Sequence, residues 1–136
     1  MKLNLLRSIR TNNFNDNQLI KKMEHMWKEA SSKLKHHKGN VYGVYYDYES
    51  NYKGDYSLGV AINDRDSNVD NRMIMEIPDV KYKIFDVDTT DELGIMKAWS
   101  KIWELEESGS LKRAYTYDYE KYDPNGNIEI YIAVRK

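Results

Sequence analysis

The residues best suited to chemistry are carboxylates set among tyrosines. The tetrapeptide Tyr-Asp-Tyr-Glu occurs twice, at residues 46–49 and 117–120. Because side chains alternate along a strand, Glu120 shares one face with Asp118 and Tyr122. A glutamate on a tyrosine-rich face can pair with a cationic ligand, while the rings supply cation–π and stacking contacts. The alternative is an exposed glutamate at a strand end, and alternation alone leaves both interpretations open.

The repeated tetrapeptide also offers two carboxylate pairs. A pseudo-twofold arrangement of the two copies can bring together Glu49 and Glu120, or Asp47 and Asp118. Paired carboxylates are typical of glycosidases, whose chemistry depends on the distance between the two groups. The sequence does not give that distance, so this alternative stays open.

The sequence gives little indication of a metal site or of a catalytic nucleophile. The chain has no cysteine, which excludes a disulfide framework, a thiolate zinc site and a cysteine nucleophile. Residues 64–71 resemble a calcium loop, but Val69 and Met75 stand where glycine and glutamate are needed, so a polar loop is predicted. The three histidines lie among lysines and indicate a solvated helix end. We therefore expect no metal and no cofactor.

Length and charge narrow the class of protein. The 136 residues fit one domain, and 40% hydrophobic with 32% charged residues is typical of a globular chain. A net charge of −1 gives no global attraction to nucleic acid. No stretch approaches the ~20 apolar residues of a membrane span, and no secretory signal is recognisable. We expect a cytoplasmic protein with no direct nucleic-acid or membrane partner.

Hydrophobic periodicity predicts the elements that would hold these side chains. It predicts strands at residues 2–10, 40–48, 56–63, 73–77, 81–87, 114–120 and 127–134, and helices at 16–37 and from about 89 to 107. Asn15 or Asp16 would cap the first helix, and Thr89 with Glu92 would form a capping box on the second.

The order strand–helix–strand–strand therefore occurs twice, roughly over residues 1–63 and 72–136. Small repeated units usually bury a shared core by pairing. This predicts an α+β fold, a single domain over residues 1–136, with an antiparallel sheet and two helices on one face. A ligand groove would lie between the pseudo-twofold halves. Trp99 and Trp103, one turn apart on the second helix, would either pack in the core or wall that groove.

Three segments carry a resemblance to a known family. They are residues 39–62, residues 75–87 with 97–104, and residues 117–134. Together they resemble the GyrI-like effector-binding domain, found in AraC- and MerR-class multidrug regulators and in stand-alone, integron-associated effector-binding proteins. The sequence departs from the family pattern at Ala133, where proline is frequent.

The resemblance implies an aromatic pocket that binds bulky, often cationic, hydrophobic molecules. The pocket glutamate of the family matches Glu120. The other ligand-binding residues implied are Tyr46, Tyr48, Tyr56, Tyr82, Trp99, Trp103 and Tyr122.

The expected function is that of a stand-alone, multidrug-type effector-binding protein. A DNA-binding helix-turn-helix would need its own core of about 50 residues, for which we expect no room. Two alternatives remain: a hydrolase of reactive electrophiles with Glu120 as its catalytic base, or a module that contacts a protein partner such as a transcription regulator or gyrase. A monomer and a homodimer are both compatible with the sequence.

Overall fold

The computed structural model of the chain describes residues 1–66 and 73–135. Within these residues there are seven strands, two α-helices and a short 3-10 turn at Asp64–Asp66. The strands are β1 Lys2–Thr11, β2 Val41–Tyr46, β3 Tyr56–Asn63, β4 Ile74–Glu76, β5 Tyr82–Asp86, β6 Asp118–Tyr122 and β7 Ile128–Ala133. The helices are α1 Leu19–Lys33 and α2 Gly94–Glu107. The predicted polar loop at 64–71 lies outside the described residues from position 67 onward.

The strands form one antiparallel sheet in the order β4-β1-β3-β2-β6-β7-β5. The unit β1-α1-β2-β3 is followed by β5-α2-β6-β7, and the two units meet where β2 pairs with β6. Apart from β4 at one edge, the sheet therefore has the same strand order on both sides of that contact. The predicted α+β fold with a duplicated strand–helix–strand–strand unit is confirmed.

Both helices cover the same face of the sheet. Helix α1 buries Met26 and Ala30 against Tyr56, Leu58 and Val60 of β3. The spacing of apolar residues by three and four places them on one side of each helix, which is the side that meets the sheet.

Helix α2 makes the equivalent contact in the second unit. It buries Trp99 and Ile102 against Ile130 and Ile132 of β7. Strands β2 and β6 lie at the centre of the sheet between these two packed regions, and they form the floor of a groove between the helices.

The opposite face of the sheet carries a second apolar cluster, rich in tyrosine. Tyr42, Val44 and Tyr119 are buried there, and Tyr119 stacks on Tyr131 with ring centroids 4.6 Å apart. The twelve tyrosines of the chain are thus divided between the two faces. None of the helices in the described residues combines the length and hydrophobicity needed to cross a membrane.

The predicted helix caps are wrong. Neither helix has a side-chain cap at its N-terminus, and α2 begins at Gly94, five residues after the predicted capping residue Thr89. The aspartates bond backbone N–H groups two residues further on instead: Asp16 accepts from Gln18 at 2.8 Å, and Asp91 accepts from Leu93 at 2.9 Å. Such local turns compete with the helix for the same donors, which delays the helix start.

Two left-handed residues shorten the predicted strands at 40–48 and 114–120. Asp47 has φ 49° and Tyr115 has φ 56°, which an uninterrupted strand does not allow. Strand β2 therefore ends at Tyr46, and β6 begins at Asp118. Beyond Asp47 the side-chain alternation is reset, so Tyr48 points to the helix-covered face while Tyr46 points to the other.

Candidate functional site

A cavity of about 390 Å³ lies between α1, α2 and the central strands. This volume is within the range of about 300–1,000 Å³ that is usual for small-molecule sites. Its base is formed by Tyr45, Trp99, Arg113 and Glu120. Its walls are mostly aromatic, so a bound molecule would meet rings on several sides. The charged residues that border the cavity are Arg113 and Glu120 at the base and the exposed Glu92 beside Leu93.

Glu120 is 4% exposed and accepts three hydrogen bonds at the base of the cavity. Tyr45 Oη donates to Oε2 at 2.9 Å, and Trp99 Nε1 donates to the same oxygen at 2.7 Å. Tyr122 Oη donates to Oε1 at 2.7 Å. All three donors are neutral. Within residues 1–66 and 73–135, no lysine, arginine or histidine forms an ion pair with Glu120.

Burial dominates the protonation behaviour of this group. Burial raises the pKa of Glu120 above its ordinary value of 4.5, although the hydrogen bonds from Trp99, Tyr122 and Tyr45 act in the opposite direction. Burial, together with the charge of Glu120, also raises the pKa of Tyr45 and Tyr122. The two phenols therefore stay protonated and remain hydrogen-bond donors.

The sheet register and one glycine place Glu120 in the cavity. In the β2–β6 ladder Glu120 lies directly opposite Gly43. A Cβ at position 43 would stand 3.0 Å from Glu120 Oε1, a distance that is tighter than ordinary side-chain packing. The glycine thus leaves room for the carboxylate to fold over the neighbouring strand, toward Trp99 on α2.

Aromatic rings wall the cavity at its base and at one end. Tyr45 packs against Trp99 with centroids 4.9 Å apart and against Tyr56 at 5.6 Å. At the end of the cavity, Tyr52 stacks on Trp103 at 5.4 Å with an interplanar angle of 14°. Phe14, from the β1–α1 connection, packs on both Tyr52 and Trp103 at 6.0 Å. Residues from both repeated units therefore close this end.

The rim of the cavity is mostly apolar, apart from the exposed Glu92, and part of it is solvent-exposed. Leu93 is 51% exposed and Met96 is 63% exposed, and Met23 and Ile95 complete this side. Leu93 and Met96 contribute little to the core, whereas Met23 and Ile95 are partly buried and pack against it. Methionine adapts readily to differently shaped partners.

A second buried polar group borders the cavity. Arg113 forms an ion pair with Asp118, with Nη2 2.7 Å from Oδ2, and both side chains are at most 2% exposed. Asp118 also accepts from Tyr48 Oη at 2.5 Å and from the Ala133 backbone N–H at 2.8 Å. This pair links the start of β6 to β7 and to the segment that precedes β6.

The structure brings together most, but not all, of the residues predicted for the site. Tyr48, Tyr56, Trp99, Trp103 and Glu120 line the cavity. In addition, the predicted residue Tyr122 reaches the cavity through its hydrogen bond to Glu120, and its ring packs on Trp27.

Tyr46 and Tyr82 lie elsewhere, on the opposite face of the sheet. Tyr46 follows Tyr45 in β2, and alternation turns it away from the cavity, where it stacks on Tyr117. Tyr82 is on the edge strand β5 and packs on Tyr119 with centroids 5.6 Å apart. We therefore correct the predicted set, because neither ring borders the cavity.

Sequence reasoning missed Tyr45, Tyr52 and Arg113. Tyr45 could have been found from alternation, had the face of β2 been known. Tyr52 and Arg113 come from connections outside the strands, where periodicity carries no signal.

Neither predicted carboxylate pair forms a shared site. Asp47 and Glu49 are exposed, whereas Asp118 and Glu120 are buried. Among the residues that the structure describes, no three histidine, aspartate or glutamate side chains converge as metal ligands would.

The sequence model of one family, described as integron-associated effector binding protein, matches residues 6–134. An integron cassette protein from the mobile metagenome of Vibrio cholerae shares 24% sequence identity, with a TM-score of 0.78 over 99% of this chain and 90% of its own. SAV2435 bound to tetraphenylphosphonium is 11% identical, with a TM-score of 0.70 over 99% and 88%. At these identities the two structures show a common fold. No curated protein sequence matches the chain significantly.

Proposed function

The chain belongs to the family of integron-associated effector binding proteins, and we propose that it binds a lipophilic organic cation in the cavity above Glu120. The observation that carries this proposal is the environment of Glu120, a buried carboxylate with three neutral donors and no cationic partner among the described residues. A buried charge without a counter-charge is unfavourable. A ligand cation would supply the missing counter-charge.

The aromatic walls favour the same class of ligand. Rings of Tyr45, Trp99 and Tyr56 stand next to the carboxylate, and Trp103 with Tyr52 closes the end of the cavity. Aromatic faces attract cations, most strongly where water is excluded. The structural neighbour SAV2435 is bound to tetraphenylphosphonium, a lipophilic cation of this kind.

The hydrogen bonds to Glu120 favour its charged form. The donors Tyr45, Trp99 and Tyr122 stabilise the carboxylate and oppose part of the rise in its pKa that burial causes, while a role of Glu120 as the catalytic base of a hydrolase stays a prediction. They also occupy both carboxylate oxygens. These contacts suit a group that holds charge opposite a cation. Three further points stay predictions: the cytoplasmic location, the oligomeric state, and a protein partner such as a transcription regulator or gyrase.

Calorimetric titration with a charged and a neutral probe tests the proposal. Tetraphenylphosphonium carries the charge, and triphenylphosphine oxide is a neutral molecule with similar rings. We expect the wild type to bind the cation, and Glu120→Gln to bind it about 10- to 100-fold more weakly, since one charge pair at an intermediate dielectric contributes a few kcal/mol. Binding of the neutral probe should change little.

Glu129→Gln is the matched control. Glu129 lies on β7, the strand next to Glu120, but on the opposite face, where Tyr131 contacts it. Its substitution removes the same charge from the chain and should leave cation affinity unchanged. Equal affinity of the wild type and Glu120→Gln for tetraphenylphosphonium would refute the role of Glu120, and absence of binding to the wild type would refute the proposed function.

A further inference from the structure

Strand β5 forms one edge of the sheet, and in the part of the chain that the structure describes no strand pairs with its outer side. Its inner side pairs with β7, where the Val87 N–H donates to the Ile128 carbonyl oxygen at 3.1 Å. Hydrogen-bonding direction alternates along an antiparallel strand, so the odd-numbered residues of β5 bond to β7. The residues whose backbone N–H and C=O groups point outward are therefore Tyr82, Ile84 and Asp86.

The equivalent edge of the first unit carries an added strand. Strand β1 corresponds to β5 in the repeated unit, and β4 pairs with it, with Met75 opposite Leu3. The Leu5 N–H also donates to the Met73 carbonyl oxygen at 2.9 Å, which extends this pairing. The sheet thus accepts a further strand beside β1, and residues 1–66 and 73–135 supply no counterpart beside β5.

The side chains of β5 combine apolar surface with charge. Ile84, at the centre of the strand, is 50% exposed, and Lys83 and Asp86 on either side are exposed as well. An unpaired edge with an exposed apolar residue is a template for pairing with another strand, whereas like charges that meet across the edge oppose it. The charges of β5 therefore select which strand can pair with it, and in which register.

A second copy of β5 has complementary side chains in one register. Antiparallel pairing about Ile84 places Tyr82 opposite Asp86 of the other copy, and Lys83 opposite its Phe85. No two like charges then face each other. A centre at Lys83 would place the two lysines opposite each other, and a centre at Asp86 would do the same with the two aspartates, which is unfavourable in both cases.

The backbone supports the same register. Pairing about Ile84 joins residues whose N–H and C=O groups all point outward, as a hydrogen-bonded antiparallel pair requires. It also uses the whole strand Tyr82–Asp86, whereas a centre at Phe85 would place Tyr82 opposite Asp88, outside β5. The register centred on Ile84 is therefore the one that satisfies both the charges and the backbone.

We propose that two copies of the chain associate through their β5 edges, antiparallel and centred on Ile84, so that their sheets become one continuous sheet. The cavity lies between the helices and the central strands of each copy, so this inference does not depend on the proposed function. Five paired residues a side are fewer than the roughly 20–30 of a standard interface. The dimer should therefore be weak and should form in a concentration-dependent way.

Sedimentation velocity at increasing protein concentration tests the association. We expect the wild type to shift from monomer to dimer as its concentration rises into the millimolar range. Ile84→Lys should weaken the association by about tenfold or more, because two lysines would lie directly opposite each other. Ile74→Lys is the matched control, since Ile74 lies on the edge strand β4 and is 49% exposed, and it should associate like the wild type.

Cysteine cross-linking tests the register. The chain has no cysteine, so Ile84→Cys introduces a single thiol. Opposite residues of a hydrogen-bonded antiparallel pair have Cα atoms about 5.5 Å apart, within the range of about 4.4–6.8 Å that a disulfide spans. Oxidation with diamide should convert most of Ile84→Cys to a covalent dimer, and Ile74→Cys, at the other edge, should stay mostly monomeric.

Three results would overturn this inference. They are a wild type that stays monomeric at millimolar concentration, an Ile84→Lys variant that dimerises like the wild type, and equal cross-linking of the two cysteine variants. Ile84 is exposed, so its variants should keep the far-ultraviolet circular dichroism of the wild type. If the lysine variant unfolds, the comparison of the two cysteine variants decides.

Discussion

Asp118 and Glu120 are alternate residues of β6, and both are buried on the helix-covered face of the sheet. Their partners differ in charge. Asp118 is bound to the guanidinium of Arg113, with further hydrogen bonds from Tyr48 and the Ala133 backbone. Glu120 receives hydrogen bonds only from neutral side chains among the described residues.

The contrast separates two uses of a buried carboxylate. The charge of Asp118 is compensated within the chain, so its contribution is to the folded structure. The charge of Glu120 is stabilised by neutral donors and has no counter-charge among the described residues, which is why we propose that a ligand cation supplies one. Asp118 and Glu120 lie on the same face of β6, yet neutralising each carboxylate should have a different effect on stability.

The largest difference should appear in stability when each carboxylate is neutralised. Asp118→Asn leaves Arg113 buried without its closest counter-charge, and removal of one partner of a buried pair typically lowers the free energy of unfolding by about 3–5 kcal/mol. Glu120→Gln removes a buried charge that has no counter-charge among the described residues, so it should leave the free energy of unfolding unchanged or raise it. Urea unfolding at neutral pH measures both. Losses of equal size would mean that the two carboxylates play the same structural role.

The second difference concerns the dependence of stability on pH. The pKa of Glu120 is raised in the folded state, so its stabilising contribution is fully present below its ordinary pKa of 4.5 and is lost as pH rises through the raised value. Above that window the ligand-free wild type should be less stable than Glu120→Gln by about 1.4 kcal/mol for each unit of the pKa shift. Urea midpoints of the two proteins across this range measure the effect, and parallel curves would contradict it.

A smaller effect is expected when one donor to Glu120 is removed. Tyr122→Phe deletes the hydrogen bond to Oε1, so the pKa of Glu120 should rise further and the affinity for tetraphenylphosphonium at neutral pH should fall by about two- to tenfold. In both proteins the affinity should increase with pH until Glu120 is ionised, and the variant should reach its plateau at a higher pH. Superimposable pH profiles would show that Tyr122 does not tune the carboxylate.

The smallest effect should come from the tyrosines of the opposite face. Tyr82→Phe changes a hydroxyl whose partner is the Pro78 carbonyl oxygen, and Tyr46→Phe changes a ring that stacks on Tyr117. We expect cation affinity within about twofold of the wild type for both, because neither ring borders the cavity. A tenfold loss in either variant would place the ligand on the other face of the sheet.

Much of the fold could be predicted from hydrophobic periodicity. The 56–63 strand agrees with β3 to the residue, and the order of elements in both units is as predicted. Errors are confined to element ends, where local interactions decide. Asp16 and Asp91 form short turns that postpone both helices, and the left-handed Asp47 ends β2 early.

The environment of the two Tyr-Asp-Tyr-Glu copies was harder to predict. The first copy begins at the last residue of β2, so Asp47 and Glu49 lie in an exposed connection. The second copy leads into β6, so Asp118 and Glu120 enter the sheet and are buried. The two identical tetrapeptides thus lie at different positions relative to their strands, because the β2–β3 connection is longer than the β6–β7 turn. Alternation placed Glu120 on one face with Asp118 and Tyr122 but did not show whether that face is buried, and only tertiary packing brings Arg113 and Tyr52 to the cavity.

The exposed rim of the cavity affects how the ligand preference of this protein can evolve. Leu93 and Met96 border the ligand space but project largely into solvent. Substitutions at such positions usually alter stability by no more than about 0.5 kcal/mol. The set of compounds that the chain recognises can therefore shift by single amino-acid replacements at the rim, without disturbing the charge at the base or the core beneath it. Changes in ligand preference that arise at these positions should therefore have almost no effect on the stability of the fold.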